Sequence, residues 1–365
     1  MKKTALTMAI SSLLLAGGAQ AANVYDQNGT KLDIGGRVNG MYYGTDDNAT
    51  EGDASYLRLH IAGETKVDED LTAFGFAEYN LPVSGSDNDE LRYAYAGIKH
   101  DRFGAFSYGR QDGLFTKAVN YTDVLPEWGG DGLGKDTEVF GTGRTNGLAQ
   151  YMYNWQGLTL GAQFTGNNDP QNASRSERVG PNSTWSPKGS SEGYALSANY
   201  DFNMGLSLGA AYNQAGKTDE QAENVSFGGD NDAKLFGVGA KYAVGNLYMA
   251  ATYSHGEDHL FVDTGSMRGY AEKMDGYEAV VQYNITPKFK PSLAYLRTDV
   301  KDSAHGIDDT ATEYVSVGAW YNFTDNFNAY VDYKINLLDE VGSTGKNSLN
   351  KSTDDIVAVA LQYNF

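Results

Sequence analysis

The chain has 365 residues, including 44 Gly, 26 Tyr and no Cys, and carries a formal charge of −19. That sign of charge argues against nucleic-acid binding, and the lack of cysteine rules out a disulfide framework. Beyond the first 21 residues no apolar run approaches the roughly 20 residues that a spanning helix needs, which excludes a helical membrane protein.

The N-terminus reads as an export signal. Lys2 and Lys3 form a positive n-region, Thr4 to Ala16 a mainly apolar h-region, and Ala19-Gln20-Ala21 a small-x-small cleavage site. Residues 1–21 are therefore expected to be removed, leaving one domain over 22–365. Loss of Lys2 and Lys3 takes the charge from −19 to −21. Acidic loops of this kind are compatible with divalent cations bridging to anionic lipid.

From there on the chain alternates. About sixteen segments have period-2 patterning, centred near 38, 60, 75, 95, 107, 150, 161, 197, 210, 238, 250, 279, 294, 318, 332 and 359. Leu32, Ile34, Val38 and Tyr42 share one parity and Arg37 the other. Leu57, Leu59 and Ile61 oppose Arg58. Leu91, Tyr93 and Tyr95 oppose Arg92. Ala149, Tyr151, Tyr153 and Trp155 oppose Arg144. Arg110, in contrast, shares the parity of Phe106 and Tyr108. The last ten residues put Val357, Val359, Leu361, Tyr363 and Phe365 on one face and Ala358, Ala360, Gln362 and Asn364 on the other. A soluble sandwich also alternates. The aromatic residues at segment ends and the run of strands without a domain break favour an all-β transmembrane antiparallel barrel of about sixteen strands. The mean hydropathy of −0.48 does not oppose this, since each barrel strand dilutes its apolar face with a polar one. Short turns are expected at 203–205, 243–245 and 324–326. Long loops are expected at 167–191, 216–231, 256–271 and 339–352.

One connection stands apart. Gln111 to Arg144 shows little alternation and holds Tyr121-Thr122-Asp123-Val124-Leu125-Pro126-Glu127-Trp128-Gly129-Gly130-Asp131. A connection this long among tight hairpins is usually functional. Pro126 and Gly129-Gly130 fix turns, and Trp128 and Leu125 offer packing surface. An ordinary surface loop with solvated carboxylates is the alternative.

These residues carry a resemblance to a known family. YTDVLPEWGGD at 121–131, YLRLHIAGE at 56–64, LRYAYAGIKH at 91–100, FSYGR at 106–110 and YVDYKINLLD at 330–339 resemble segments of the trimeric general diffusion porins of Gram-negative outer membranes, of the OmpC/OmpF type. The resemblance implies a homotrimer in outer-membrane lipid and lipopolysaccharide. It implies a third loop folded into a water-filled pore that passes small hydrophilic solutes and ions. It places the basic side of the constriction on Arg37, Arg58, Arg92 and Arg144, and the acidic side on Asp123 and Glu127. It places Arg110 near a subunit interface, where a snorkelling side chain at the membrane edge is the alternative reading. It makes Phe365 a signal for assembly. Gly36 and Gly40 leave the outer face of the first strand bare, which suits close subunit packing. An acidic latch onto the adjacent subunit falls on Asp87, Asp89 or Glu90. Gly143 stands where phosphate-selective relatives carry lysine, which speaks for a weak cation preference.

Other chemistry is thin. His255-Gly256-Glu257-Asp258-His259 reads as a solvated loop with no further metal ligand. Asp230-Asn231-Asp232 lacks the rest of a calcium loop. Gly141 and Gly143 precede a strand, so they do not form a dinucleotide fingerprint. No nucleophile and base stand out, so no enzyme, cofactor or metal site is expected. The runner-up is a barrel with a dedicated role, such as a sugar-specific channel or a lipid hydrolase. A sugar channel would need a file of lumen-facing aromatics, and most Tyr and Phe lie on the outward parity.

Overall fold

A computed structural model describes residues 21–83, 90–134, 140–167, 190–223, 225–342 and 345–365. The expected signal therefore lies outside the described residues apart from Ala21. Sixteen long strands are found among the described residues. They are β1 Thr30–Gly44, β2 Tyr56–Lys66, β3 Leu71–Pro82, β4 Glu90–His100, β5 Gly104–Asp112, β6 Arg144–Trp155, β7 Leu158–Thr165 and β8 Gly193–Asp201. They continue as β9 Leu206–Ala215, β10 Ala233–Val244, β11 Leu247–Glu257, β12 Lys273–Tyr283, β13 Phe289–Asp302, β14 Ile307–Asn322, β15 Phe327–Asn336 and β16 Ile356–Asn364. Every expected strand centre falls inside one of them. Short strands at Ala22–Gln27 and Gly52–Asp53 extend the edge of β1.

Each long strand pairs antiparallel with its sequence neighbours, and β16 pairs with β1 from Arg37↔Asn364 to Gly44↔Val357. The sheet thus closes into a barrel, which leaves no edge unpaired in lipid. The period-2 pattern decides which way each side chain points. On β16, Val359, Leu361 and Tyr363 are about half exposed on the outside, while Ala358 and Ala360 are buried inside. The expected short turns and long loops fall between the strands they were assigned to. Most of loop 167–191 lies outside the described residues.

The seam carries the first correction. Gly36 is buried, because the ring of Phe365 covers it and the two backbones exchange hydrogen bonds: Gly36 N donates to Phe365 O at 2.9 Å and Phe365 N to Gly36 O at 3.0 Å. A Cβ on Gly36 would meet Arg58 O at 2.2 Å and the Phe365 ring at 2.9 Å. The absence of a side chain at Gly36 therefore serves closure within one chain and leaves no bare face. Gly40 is exposed as expected, with its nearest neighbour for a Cβ at 3.9 Å.

The apolar core lies inside the barrel mouth. Phe115, Val119, Leu133, Leu235, Val262, Met274, Val300 and Leu349 are buried together, drawn from strands, the inserted connection and external loops. Loop 256–271 folds inward with a small hairpin, Phe261–Asp263 against Arg268–Tyr270. His259 is fully buried beside Phe140, and its Nε2 donates to Gly134 O at 2.9 Å. This corrects the expectation of a solvated loop, since apolar packing around the imidazole was not legible in its charged neighbours. His255 does lie at the outer rim, 2.9 Å from Asp275.

Two predictions follow from the seam and the loop. Gly36→Val should overpack the seam, a change that typically costs about 1–3 kcal/mol. Heat-modifiable barrel recovered from outer membranes should fall sharply, while Gly40→Val should assemble far better. Equal yields would show that the Phe365 seam is not tight. Burial pushes the His259 imidazole down to about 4, with the Lys217 charge adding to the effect. Between that value and the ordinary 6.5, the released loop takes up a proton that the packed loop refuses, so acidification favours release. A protonated Nδ1 would be a buried donor with no acceptor among the described residues. Limited proteolysis of 256–271 should accelerate from pH 7 to pH 4.5. His259→Gln keeps a donor for Gly134 without titrating there and should flatten the dependence. The same acid response in both proteins would remove His259 as its source.

Candidate functional site

At Asp112 strand β5 leaves the sheet and the chain turns into the lumen. Its two limbs meet in a neck, where Gly113 N donates to Gly143 O at 3.0 Å and Thr116 Oγ1 to Thr142 O at 2.7 Å. A Cβ on Gly113 would stand 1.9 Å from Gly141 O, so only glycine fits there. A short helix, Leu114–Val119, then packs Leu114, Phe115, Ala118 and Val119 against the wall.

Wall strands β8 to β15 hold the rest with polar side chains of inward parity. Asn199 Nδ2 donates to Ala118 O at 2.7 Å, and Tyr248 Oη to Tyr121 O at 2.5 Å. Thr122 and Gln282 supply further hydrogen bonds, to Glu278 and to the Val124 carbonyl. Glu278 Oε1 accepts from Gly132 N at 2.7 Å, and Thr298 Oγ1 donates to Gly132 O at 2.8 Å. Asp332 Oδ2 accepts from the backbone N of Glu127 at 3.1 Å and of Trp128 at 3.2 Å. Tyr314 Oη donates to Asp131. A buried backbone group left without such a partner costs about 1–3 kcal/mol, so these anchors decide where the segment lies. The insertion expected for this connection is what the structure has, and the surface-loop alternative fails.

Sequence reading missed a second device. Inward-facing glycines make room for the segment. A Cβ on Gly209 would come within 2.1 Å of Ala118 O, one on Gly276 within 2.2 Å of Gly132 O, and one on Gly237 within 2.6 Å of the Phe115 ring. Their shared inward parity was the available signal.

The carboxylates expected at the constriction differ in setting. Asp123 is exposed to the lumen and accepts from Asn120 Nδ2 at 3.0 Å. Glu127 is turned to the wall, where Tyr43 Oη donates to Oε1 at 2.6 Å and Tyr330 Oη to Oε2 at 3.0 Å. Burial raises its carboxyl above the ordinary range, while those two hydroxyls and the Arg58 charge pull it back. Trp128 stacks on Tyr43 with centroids 5.4 Å apart.

The arginines lie on β1, β2, β4 and β6. Arg37 and Arg58 are cross-strand partners. Arg58 Nε donates to Asn80 Oδ1 at 3.2 Å and lies 3.8 Å from Glu78. Arg92 Nε donates to Glu78 at 2.7 Å, and Glu90 bridges Arg92 at 3.8 Å to Arg144 at 3.7 Å. The expected set is thus assembled into one cluster. Glu78 and Glu90, which neutralise part of it, were not foreseen as members. Glu90 is engaged with arginines of its own chain, and the other two latch candidates, Asp87 and Asp89, lie outside the described residues.

Parity held for Arg37, Arg58 and Arg144 but not around Arg92. The β3–β4 register shifts there, pairing Glu78 with Tyr93 and Tyr79 with Leu91, so Arg92 is an extra residue. Beyond this bulge the faces exchange. Tyr93 and Tyr95 face the lumen, and Ala96 and Ile98 face out. Arg110 keeps its outward parity, opposite Ala94. Its guanidinium fills the gap left where β5 departs. It donates to Leu91 O at 2.7 Å and Asn146 Oδ1 at 3.4 Å, and lies 3.1 Å from Glu90. It satisfies backbone that β5 no longer pairs, so it is not a free snorkelling charge.

Comparison with known proteins fits this arrangement. Residues 27–365 match the family described as Gram-negative porin. The outer membrane porin protein OmpD of Citrobacter koseri is 38% identical, and outer membrane porin N of Escherichia coli 37%, each over 100% of both chains. Salmonella typhi OmpF, solved in complex with daunomycin, superposes with a TM-score of 0.82 at 30% identity, covering 94% of this chain and 100% of that one. An anion-selective porin from Comamonas acidovorans shares the fold, with a TM-score of 0.64 at 16% identity over 92% and 100% of the two chains. The chain belongs to the Gram-negative porins, and is an outer-membrane β-barrel channel for passive diffusion and not an enzyme.

Proposed function

We propose that the pore is constricted between the inserted connection and the arginine wall, and that this constriction selects among small hydrophilic solutes and ions by bore and by a transverse field. The observation that carries the reading is the division of the lumen. Asp123 and Glu127 lie on the inserted segment, while Arg37, Arg58, Arg92 and Arg144 belong to β1, β2, β4 and β6. Opposed charges act across the path, so polar solutes can align their dipoles while large apolar ones gain nothing. The net preference is weakly for cations. Gly143 in place of lysine, the acidic chain and the pairing of arginines with Glu78 and Glu90 support this.

The assembly is a homotrimer, as in the family, with residues 1–21 removed on export and Phe365 read during assembly. Exposed Gly40 on the outer face of β1, with Tyr42, Val359 and Leu361 beside it, supports subunit packing there. Arg110 lies near this use only through the resemblance. Charged outer residues at the external rim, such as Lys234 with Glu257 and Arg297 with Asp299, suit lipopolysaccharide head groups.

Planar bilayers test the charge reading. Asp123→Asn with Glu127→Gln should move reversal potentials in a salt gradient toward anions. Neutralising the four arginines to Gln should move them toward cations. Both shifts should be modest and shrink as salt rises, since charges in a wet lumen are screened within about 10 Å at 0.1 M. Unchanged potentials and conductance in both sets would place the constriction elsewhere. Mass measurement in mild detergent should give three chains, and a lone chain at micromolar concentration would refute the trimer.

A further inference from the structure

The bulge at Arg92 has an effect on the lumen beyond geometry. By turning Tyr93 and Tyr95 inward it completes an aromatic wall on β2–β4. The His60 and Phe76 rings stack with centroids 5.8 Å apart. Phe76 lies 5.9 Å from Tyr93 and 5.7 Å from Tyr95. These rings share the inward face with Arg58 and Glu78. The pairs His60↔Glu78, Glu78↔Tyr93 and Phe76↔Tyr95 put them on one side of the sheet, while Ile61 and Ile98 face out. All four rings are partly exposed, and the side chains described above that bond the backbone of the inserted segment lie on β8 to β15.

The charge beside this wall is uneven. Arg92 is held by Glu78 at 2.7 Å, and Glu90 lies between Arg92 and Arg144. Asp112 takes the Tyr93 hydroxyl at 3.0 Å, which fixes that ring. Arg37 has no carboxylate within 4.0 Å among the described residues, and its NH1 meets only the amide oxygen of Gln362 at 3.4 Å. Arg58 has Asn80 at 3.2 Å and a distant Glu78 at 3.8 Å. Arg37 is the cross-strand neighbour of Arg58, so a guanidinium with no carboxylate within 4.0 Å among the described residues stands beside one whose nearest carboxylate oxygen is 3.8 Å away. His60 lies two residues further along β2, about 7 Å at the usual strand rise, and Glu78 and Tyr93 are at its level. That offset suits a carboxylate joined directly to a flat ring. The guanidinium fork takes the carboxylate, and the faces of His60, Phe76 and Tyr95 take the ring.

We propose that this wall is a transit subsite for aromatic carboxylates, with Arg37 and Arg58 holding the anion and His60, Phe76, Tyr93 and Tyr95 the ring. The inference rests on the channel reading. Solutes of this class dwell in the pore longer than aliphatic acids of equal charge and similar size.

The test uses the purified full-length protein in planar bilayers at fixed ionic strength, with benzoate, cyclohexanecarboxylate and benzamide as probes. Benzoate should block or add current noise at concentrations about threefold to tenfold lower than cyclohexanecarboxylate, the range expected of aromatic contacts. Benzamide, equally flat but neutral, should be weaker than benzoate. Phe76→Leu with Tyr95→Leu should bring benzoate and cyclohexanecarboxylate together. Arg37→Gln with Arg58→Gln should bring benzoate and benzamide together. Equal effects of benzoate and cyclohexanecarboxylate in the unaltered protein would overturn the proposal without use of any variant. So would a benzoate preference that survives loss of the rings. Absence of any salt conductance would overturn the channel reading, and this one with it.

Discussion

Closure of the backbone hydrogen-bond ladder is the constraint on which the rest of this molecule depends. Lipid offers no partner to an N–H or C=O, so a strand can cross the membrane only if both its edges are paired. Here the last edge is matched at β16–β1, with the Gly36 and Phe365 backbones bonded to each other at its end. Closure also removes the need for a core between sheets. The outward face takes lipid as its solvent, which explains how so many exposed Val, Leu, Tyr and Phe coexist with a strongly acidic, hydrophilic composition.

A closed barrel of this size leaves a lumen to be filled or kept open, and the inserted connection does both. One wall is faced with anchors and with glycines that let backbone approach backbone. The arginines lie on β1, β2, β4 and β6, and Glu127 and Trp128 of the segment reach Tyr43 on β1. The asymmetry originates at Asp112, where β5 leaves the sheet, because its departure opens a gap that Arg110 has to satisfy and sends the acidic segment inward. The residues that end β5 thus determine which stretch of chain enters the barrel. The external loops share in this. His259 ties loop 256–271 to Gly134, so that loop and the inserted segment are packed together.

The bulge at Arg92 shows how one residue can change the chemistry of a pore. Without it, Tyr93 and Tyr95 would face outward, as simple alternation assigns them. With it, the lumen gains two phenol rings beside Phe76, and the argument that few aromatics face inward no longer holds for β2–β4.

The sequence by itself determined the barrel, the number and centres of its strands, and the side of each lumenal arginine, but not the side of Tyr93 and Tyr95 beyond the bulge. Period-2 alternation in lipid leaves only one orientation that buries no charge in hydrocarbon. The inserted segment was legible as an exception to that period, and its role came from resemblance. What only the tertiary structure decided are the features in which two distant segments meet. The Phe365 ring over Gly36, the partnership of Glu78 and Glu90 with the arginines, the burial of His259, and the glycines beneath Ala118 and Gly132 are all of this kind. Alternation along a strand specifies which face a residue takes, but it carries no information about what arrives there from elsewhere in the chain. Nor does it survive an extra residue, which shifts every later side chain to the other face.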